Sequence, residues 1–350
     1  MTARRKNPRT DKERGTVLLT TLLMTSIIAV VAVGILSDLK LSIKRTINVN
    51  AYTQVDWYAS GVEDFAYLYL EQSFMALSPE AKNIALLEAQ PITLPIEGGV
   101  MTLRVSEGGH CFALNSLVNL QGIAEESKRQ QFIDLLNLIA FGKIDANRVS
   151  NTIIDWIDRD SQTRSGGAED GGYLGVVPPH RTANTALSSV QEIRAVQGMN
   201  EELYQTLRPF ICTGSAGQVT KFNINSARPE HSAVLASLLG GPEQIDMAMR
   251  LITERPQGGY TADSLKSIAA PEGNWPEGSF PDEIIIAPEL IWIEAEILYG
   301  TALRARSFEF ALGADGVDNT PLHLTYRGWG RESFRPRLQR SEQSPTESEN

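Results

Sequence analysis

The amino-acid sequence predicts an α+β fold in which a long N-terminal helix spans a membrane and an antiparallel sheet is interrupted by a large all-α insertion. Three observations support this fold class. Residues 16–37 form an uncharged apolar run, strand patterns lie on both sides of the middle of the chain, and the middle shows helical segments separated by Gly, Pro and Asn. Strands and helices that occur in separate runs are typical of α+β proteins.

The apolar run at 16–37 is long enough to cross a bilayer, because about 22 helical residues at about 1.5 Å each reach roughly 33 Å. The leader before it contains six basic and two acidic residues, and this bias keeps the N-terminus in the cytoplasm. Everything after Asp38 would then lie across the membrane. The run could also be a signal peptide cleaved near Ala32-Val33-Gly34, or an uncleaved anchor. Cleavage after Gly15 is a third possibility, and it would remove the charges while keeping the helix.

The helix is predicted to continue beyond the membrane, from about Thr16 to about Met75. No proline lies between Pro8 and Pro79, and apolar residues recur near helical spacing. A single apolar stripe outside the membrane requires a sheet or a partner protein to cover it. The residues of this stripe are Leu39, Ile43, Ile47, Val55, Val62, Phe65 and Leu68.

Strand patterns predict the sheet. Ile92–Leu94 and Val100–Val105 flank a Glu-Gly-Gly turn, which predicts a hairpin. Apolar residues alternate with other residues across 291–299, as expected of a half-buried strand. Two further strands are predicted at 303–311 and 320–327.

Between the strands, residues 113–285 are predicted to form a helical insertion. It contains two helix, Gly-turn, helix units, one centred on Gly198 and one on Gly240-Gly241. Such units resemble the helix-hairpin-helix module, whose DNA-binding form presents backbone N–H groups to phosphate. The chain has a formal net charge of −10, or −14 without residues 1–15, and few lysines or arginines lie near the first turn. Packing within a helical bundle is therefore favoured over DNA binding.

The insertion also contains a dense group of carboxylates joined by a glycine-rich loop. Five acidic side chains close in sequence suit a hard cation such as Ca²⁺, which takes about six to eight oxygen ligands, although the spacing is not that of an EF-hand. The alternative is a solvated acidic loop whose aspartates only cap or flank a helix. The candidate ligands are Asp155, Asp158, Asp160, Glu169 and Asp170.

Cys111 and Cys212 are the only two cysteines. The predicted topology places both in an oxidising compartment, where disulfides persist. We therefore predict a Cys111–Cys212 disulfide that pins the helical insertion to the sheet.

The sequence carries no signature of an enzyme. The four histidines are scattered, neither cysteine lies in a CxxC pair, and the HExxH, GxSxG, GxGxxG and P-loop patterns do not occur. Three classes of protein are considered. They are a structural subunit of an assembly, a membrane-anchored periplasmic DNA-binding or uptake protein that uses the helix-hairpin-helix module, and a membrane-anchored hydrolase with an unrecognised site. The hydrolase has no support in the sequence.

Several motifs occur together in a specific order. They are Cys111–Asn115, Asp155–Asp158, Gly167–Tyr173, Ala183-Asn184, Val190–Ile193, Gly198-Met199 and Phe222–Ala227. With the leader, they make the chain resemble the K-type minor pseudopilins of type II secretion systems. The resemblance implies a pilin-like body with a large helical insertion, a structural role at the tip of the pseudopilus, and assembly with I- and J-type minor pseudopilins. Members of this family have been seen with bound calcium, which favours a metal at the acidic loop.

The leader resembles that of type IV prepilins and pseudopilins, which a prepilin peptidase of the inner membrane cuts after a glycine and then N-methylates. This resemblance implies cleavage between Gly15 and Thr16, although pilins usually present a bulkier apolar first residue than Thr16. Most pseudopilins carry a glutamate at the fifth mature position. This chain has the uncharged Thr20 there, and other K-type proteins also have an uncharged residue. A carboxylate in hydrocarbon is costly unless paired, and a subunit at the tip has no preceding neighbour whose terminal amine it must neutralise.

These patterns and the resemblance divide the chain into five regions. They are a leader peptide (1–15), a transmembrane part (16–37), a pilin-like α+β domain (38–112 and 286–334), the helical insertion (113–285) and a disordered tail (335–350). The expected location is the inner membrane of a Gram-negative bacterium, with one crossing, a cytoplasmic N-terminus and a periplasmic C-terminal domain. Further expected partners are the major pseudopilin, the prepilin peptidase and the inner-membrane platform of a machine that exports folded proteins across the outer membrane.

The insertion also predicts a position in a filament. A compact pilin head fits every subunit of a helical filament, whereas an added domain of about 170 residues should collide with a subunit stacked above it. We therefore expect the protein to end a filament. Ile43, Ile47 and Val55 would then pack against the helices of two partner minor pseudopilins, which would bury exposed apolar surface.

Overall fold

The computed structural model describes residues 9–140, 142–214, 217, 219–272, 281–313 and 322–336. Residues 1–8 of the predicted leader and 337–350 of the predicted tail lie outside the described residues. The helices, in chain order, are α1 (Arg9–Tyr69), α2 (Pro79–Leu87), α3 (Glu126–Ala140), α4 (Ala146–Ile157), α5 (Asp170–Tyr173), α6 (Glu201–Leu207), α7 (Ser232–Leu238), α8 (Ile245–Thr253) and α9 (Ala262–Glu272). The strands are β1 (Ile92–Ile96), β2 (Gly99–Glu107), β3 (Phe112–Ala113), β4 (Ile211–Cys212), β5 (Phe222–Asn223), β6 (Ile284–Ile285), β7 (Leu290–Tyr299), β8 (Ala302–Leu312) and β9 (Leu322–Trp329).

Helix α1 is 61 residues long and is followed by a π-helical turn at Leu70–Phe74. It begins before the predicted start at Thr16, because no residue after Pro8 in the leader is incompatible with a helix. Within the part of the chain that the structure describes, it is the one helix whose length and composition suit a membrane crossing. Its most apolar stretch is not buried against the rest of the protein. These findings support membrane anchoring.

The second half of α1 packs one side against the sheet. Val55, Val62 and Ala66 are buried there, while Ile43 and Ile47 remain exposed. The buried residues Val55, Val62 and Ala66 are spaced by seven and four residues, which places them on one face of the helix. The prediction that Val55 packs against partner helices is wrong, because its side chain is 0% exposed in the core formed with its own sheet.

The five-stranded sheet has the order β1-β2-β7-β8-β9, and its neighbouring strands are antiparallel. The predicted hairpin is confirmed, with Ile96 opposite Gly99. Its turn contains Gly98 at φ +80°, a conformation that glycine adopts without strain. The predicted strands at 291–299 and 303–311 are confirmed as β7 and β8. The strand predicted at 320–327 corresponds to β9 from Leu322 onward, and its first two residues lie outside the described part.

Strand β7 is buried on both faces only from Ile291 to Ala295, whereas Leu298 is exposed, as the predicted half-buried strand requires. Ile291 faces the core with α1, and Trp292 and Glu294 on the opposite face are also buried. The segment after β9 covers this second face. The Arg335 guanidinium lies 4.2 Å from the centre of the Trp292 ring, and the Arg335 backbone N–H donates to Glu294 Oε1 at 2.7 Å. Arg335 is therefore part of the folded body, and placing it in a disordered tail is wrong.

The insertion has a hydrophobic core separate from the core between α1 and the sheet. Helix α3 buries Phe132, Leu135 and Leu136, whose spacing of three and four residues defines one helix face. This helix packs against α7, which contributes the buried Val234 and Leu235. The insertion thus buries its own apolar residues and leaves the sheet core to α1.

The Cys111–Cys212 disulfide forms where the chain enters the insertion. The two Cα atoms are 5.7 Å apart, within the range that a disulfide requires. The bond lies beside the parallel pairing of β3 with β4. The predicted disulfide is confirmed. It joins the start of the insertion to β4, about a hundred residues later, beside the two-stranded β3–β4 sheet, so the expectation that it pins the insertion to the five-stranded sheet is wrong.

Buried polar side chains connect the insertion to the sheet. Glu107, near the end of β2, accepts hydrogen bonds from Asn223 Nδ2 and Ser226 Oγ, both at 2.9 Å. Burial raises the pKa of Glu107 to about 7, against the opposing effect of these hydrogen bonds. Arg208 of the insertion donates to the Phe334 carbonyl oxygen at 2.9 Å. The segment after β9 therefore contacts both the sheet and the insertion.

Candidate metal site

Helix α4 supplies the first carboxylates of the acidic region. Its N-terminus is capped by Asp145, whose Oδ1 accepts a hydrogen bond at 3.1 Å from the backbone N–H three residues later. Its apolar face, which includes Ile153 and Ile154, is buried in the core of the insertion. Asp155 is fully buried on the same helix, and Asp158 follows the last helical residue as a buried, extended cap.

The glycine-rich loop after α4 folds back over the helix. Two oxygens of Asp155 lie 3.3 and 3.1 Å from the Arg164 backbone nitrogen, which donates to them. A Cβ atom at Gly167 would lie 2.0 Å from Asp155 Oδ2, so only glycine permits this close approach. The loop thereby returns Glu169 to the end of α4.

Asp158, Asp160 and Glu169 form what we call the carboxylate cluster. One oxygen atom of each residue lies within 4.8 Å of the other two. Oδ1 of Asp158 and Oε1 of Glu169 are buried and have no hydrogen-bond partner among the described residues. Burial, followed by the charges of Asp160, Asp155 and Glu169, raises the pKa of Asp158 to about 7. Three carboxylates in this arrangement repel one another, and a bound cation would reverse that repulsion.

The other two candidate ligands make hydrogen bonds that shape the loop. Asp170 Oδ1 accepts from both the backbone N–H and the hydroxyl of Thr182, at 3.0 Å each, and Asp170 Oδ2 lies 3.3 Å from Arg181 Nη1. Asp155 is held by the backbone of Arg164. The structure therefore brings three of the five candidate ligands together and places Asp155 and Asp170 in supporting positions.

The donor atoms of the carboxylate cluster fit a hard divalent cation. All three residues offer carboxylate oxygens, which Ca²⁺ prefers, and Ca²⁺ would take its remaining ligands from other oxygen atoms. No histidine or cysteine of the described ranges joins the cluster, and these are the ligands typical of structural zinc sites. Of the observations at this site, the two buried oxygens without a hydrogen-bond partner fit a bound cation best.

The second glycine turn does not present a phosphate site. The Gly241 N–H donates to the Ala236 carbonyl oxygen at 2.9 Å, so it is not free to bind phosphate. A Cβ atom at Gly241 would lie 3.0 Å from Cγ of Asp134, which places a carboxylate beside the turn. The turn around Gly198 leads directly into Glu201 at the start of α6. Both features favour packing within a bundle over binding of nucleic acid.

The residues of the predicted processing site lie within α1. Gly15 and Thr16 are helical, and Thr20 is exposed on the apolar part of the helix. The Thr20 hydroxyl donates to the Val17 carbonyl oxygen at 2.9 Å. The polar atom is therefore satisfied within the helix, and this position carries no charge.

Comparisons with known proteins agree on one family. A family model described as type II secretion system (T2SS), protein K, matches residues 110–215. Type II secretion system protein K of Aeromonas hydrophila is 34% identical over 263 residues, which cover 72% of this chain and 79% of that protein. The corresponding protein of Klebsiella pneumoniae is 28% identical over 256 residues, with 72% and 78% covered. The fold also matches a chain in the crystal structure of the GspK-GspI-GspJ complex from enterotoxigenic Escherichia coli, with a TM-score of 0.61, 21% identity, and coverage of 82% of this chain and 99% of that one.

Proposed function

The chain belongs to the protein K family of type II secretion systems, and we propose that, as a minor pseudopilin, it forms the tip of the pseudopilus and prevents further subunits from stacking on it. The observation that carries this proposal is the position of the helical insertion. It leaves the sheet after Glu107 of β2 and returns before Leu290 of β7, and these two residues lie at the same end of the sheet.

This end of the sheet is the one farther from the membrane. Tyr58 of α1 lies beside Tyr299 at the opposite end of β7, with ring centres 6.2 Å apart. Farther along α1, Tyr67 lies beside Phe310, with ring centres 6.5 Å apart. Helix α1 therefore runs from the membrane toward the insertion. A subunit stacked above this one would meet the insertion in place of a free pilin head.

Partner subunits have two kinds of support. The chain shares its fold with a protein in a complex named for K, I and J components, and the membrane-proximal part of α1 leaves Ile43 and Ile47 exposed. We propose that I- and J-type minor pseudopilins cover this part of the helix. The major pseudopilin and the inner-membrane platform would then join the assembly that exports folded proteins.

The proposed tip position predicts where this protein is found along a filament. When the major pseudopilin is overexpressed, immunogold labelling of this protein should mark filament ends, and raising its expression should shorten the filaments, because each copy would stop growth. The measurement is filament length and label position by electron microscopy. Labels along the whole shaft, or lengths that do not respond to its expression, would contradict the capping role.

Processing by a prepilin peptidase is part of the same proposal. Cleavage between Gly15 and Thr16 would remove the leader, which carries six basic and two acidic residues, and would leave the apolar helix in the membrane with Thr16 as the N-methylated first residue. N-terminal sequencing and intact mass of the protein from membranes should show this mature end. A chain that begins near Ser37 would instead indicate an ordinary signal peptide.

We also propose that the carboxylate cluster holds Ca²⁺. Asp158, Asp160 and Glu169 would bind the ion, and Asp155 would orient the loop through its hydrogen bonds with the Arg164 backbone N–H. The ion would supply positive charge that the cluster lacks. Its role would be structural, since it would fix the glycine-rich loop to the end of α4.

A further inference from the structure

Three arginines lie on the side of β8 and β9 that faces α1, and we call them the arginine strip: Arg304, Arg306 and Arg327. Two of them pair with carboxylates of α1. Arg304 Nη2 donates to Asp56 Oδ2 at 3.1 Å, and Arg327 Nε donates to Glu63 Oε2 at 2.6 Å. Two of the three positive charges are thus neutralised by the protein itself.

Arg306 differs from its two neighbours. Among the described residues, no carboxylate forms an ion pair with it, and its Nη1 donates to the Ala305 carbonyl oxygen at 3.1 Å. Its guanidinium lies 3.8 Å from the centre of the Trp329 ring. Trp329 is opposite Arg306 in the β8–β9 register, and 68% of its surface is exposed. Arg306 thus has no ion pair of its own among the described residues, although the charge of Asp56, the partner of Arg304, also acts on it. Its guanidinium stacks on an exposed aromatic ring at the edge of the sheet.

We propose that the Arg306–Trp329 pair is a docking site for a carboxylate-bearing surface of a neighbouring pseudopilin subunit. This inference rests on the proposed function and adds to it a specific surface. Asp56 and Glu63 of α1 pair with Arg304 and Arg327, and a carboxylate from the neighbour would pair with Arg306 in the same way. Apolar atoms of the neighbour would cover the Trp329 ring. Arginine and tryptophan are enriched among the residues that dominate protein interfaces.

The position of the strip selects a protein partner over a lipid surface. The Arg304 guanidinium lies 4.9 Å from the centre of the Tyr52 ring. Tyr52 follows Ala51, which is the first buried residue among residues 15–69 of α1. From the end of the apolar run at residue 37 to Ala51, a helix rises roughly 20 Å. An upright helix therefore holds the strip away from the lipid headgroups. Tyr52, which Arg304 contacts, follows the exposed Ile47 by five residues of the same helix.

The test uses the full chain, co-expressed with the I- and J-type minor pseudopilins of the same organism and purified from detergent-solubilised membranes through a tag on this chain. Arg306→Glu should reduce recovery of at least one partner by about tenfold or more, because it places like charges together. Arg306→Ala should reduce it less. Trp329→Ala should also reduce it, and salt should weaken the wild-type complex more than the Arg306→Ala complex.

Lys143→Glu provides the matched control, because it makes the same change of charge at an exposed residue of the insertion and should leave recovery unchanged. Thermal unfolding of each variant shows whether the fold is intact. Recovery within about twofold of wild type for both Arg306→Glu and Trp329→Ala would overturn the docking site and leave the proposed function standing. Failure of the wild-type chain to recover either partner would overturn both.

Two other occupants of this surface are distinguished by the same variants. If Arg306→Glu abolished only binding to phosphatidylglycerol vesicles, the surface would serve the membrane and the proposal would be wrong. If it abolished only the co-purification of differently tagged copies of this chain, the occupant would be a second copy and the proposal would again be wrong.

Discussion

Replacement of Cys212 by serine is expected to lower the free energy of unfolding by up to about 4 to 5 kcal/mol, because the bond closes a very long loop. The two cysteines of the disulfide are 101 positions apart in the sequence. Without the bond, the unfolded chain gains many conformations that the bond would forbid. The measurement is denaturant unfolding of the purified protein in detergent. The loss should be greatest in probes of the insertion, which the bond joins to the start of β3.

The control for this prediction compares the two single cysteine variants with the double variant. Cys111→Ser should cost as much as Cys212→Ser, and the double variant should cost little more than either, because each change removes the same bond. Free-thiol counting on the unreduced, denatured wild-type protein should find none. Two free thiols, or additive losses in the double variant, would show that the bond is not what stabilises the insertion.

Chelation of divalent cations is expected to lower the melting temperature of the protein, and Ca²⁺ is expected to restore it. A ligand at about 100 times its dissociation constant stabilises the folded state by about 2.7 kcal/mol. The double variant Asp158→Asn, Glu169→Gln should lose the response to Ca²⁺. Without metal it should be more stable than the wild type, since it removes repulsion between buried carboxylates. Scanning calorimetry with and without chelator measures both effects.

This response should depend on pH in a defined direction. The pKa of Asp158 in the metal-free fold is raised from 3.8 to about 7 by burial and by neighbouring carboxylates. A carboxyl group whose pKa is raised by folding favours the folded state at low pH, and that contribution is lost as the pH rises from about 4 to about 7. Ca²⁺ binds the ionised carboxylate, and at pH 5 a proton competes with it for Asp158. The stabilisation by Ca²⁺ should therefore be larger at pH 7.5 than at pH 5.

Glu202→Gln serves as the matched control, because it removes an exposed carboxylate of α6 away from the carboxylate cluster. It should leave the Ca²⁺ response unchanged. If the wild-type melting temperature did not respond to Ca²⁺ at pH 7.5 and elemental analysis found no bound metal, the solvated-loop alternative would be supported.

Local patterns predicted the helices and strands well where the apolar residues follow the periodicity of the element, which is every second residue in a strand and every third or fourth in a helix. The alternation across 291–299 and the Glu-Gly-Gly turn fix the positions of β7 and the first hairpin. The helical spacing around Val62 likewise indicates the buried face of α1. The pattern does not show which surface covers an apolar face. Val55 is an example, because an apolar residue would be expected there whether it packs against its own sheet or against a partner helix.

The candidate site shows a similar limit. Clustered acidic residues and glycines indicate the region of the candidate metal site, but sequence alone does not separate Asp155, which supports the loop, from Asp158, which belongs to the carboxylate cluster. That difference depends on how the loop folds back at Gly167. The contacts of Glu107, Asn223 and Arg335 at the junction of the sheet and the insertion were not predicted, because their partners are distant in sequence. Asn223 lies in the Phe222–Ala227 motif, but the motif does not indicate its partner.

The attachment of the insertion also has a mechanical consequence. The insertion is joined to the body by the chain after β2, by the chain before β7 and by the hydrogen bond from Arg208 to the Phe334 carbonyl oxygen. The disulfide additionally locks its first strand to its interior. In the proposed tip position, a force applied along α1 by a growing filament would reach the insertion through these links in parallel. These links would thus transmit force from α1 to the insertion and to whatever the insertion contacts.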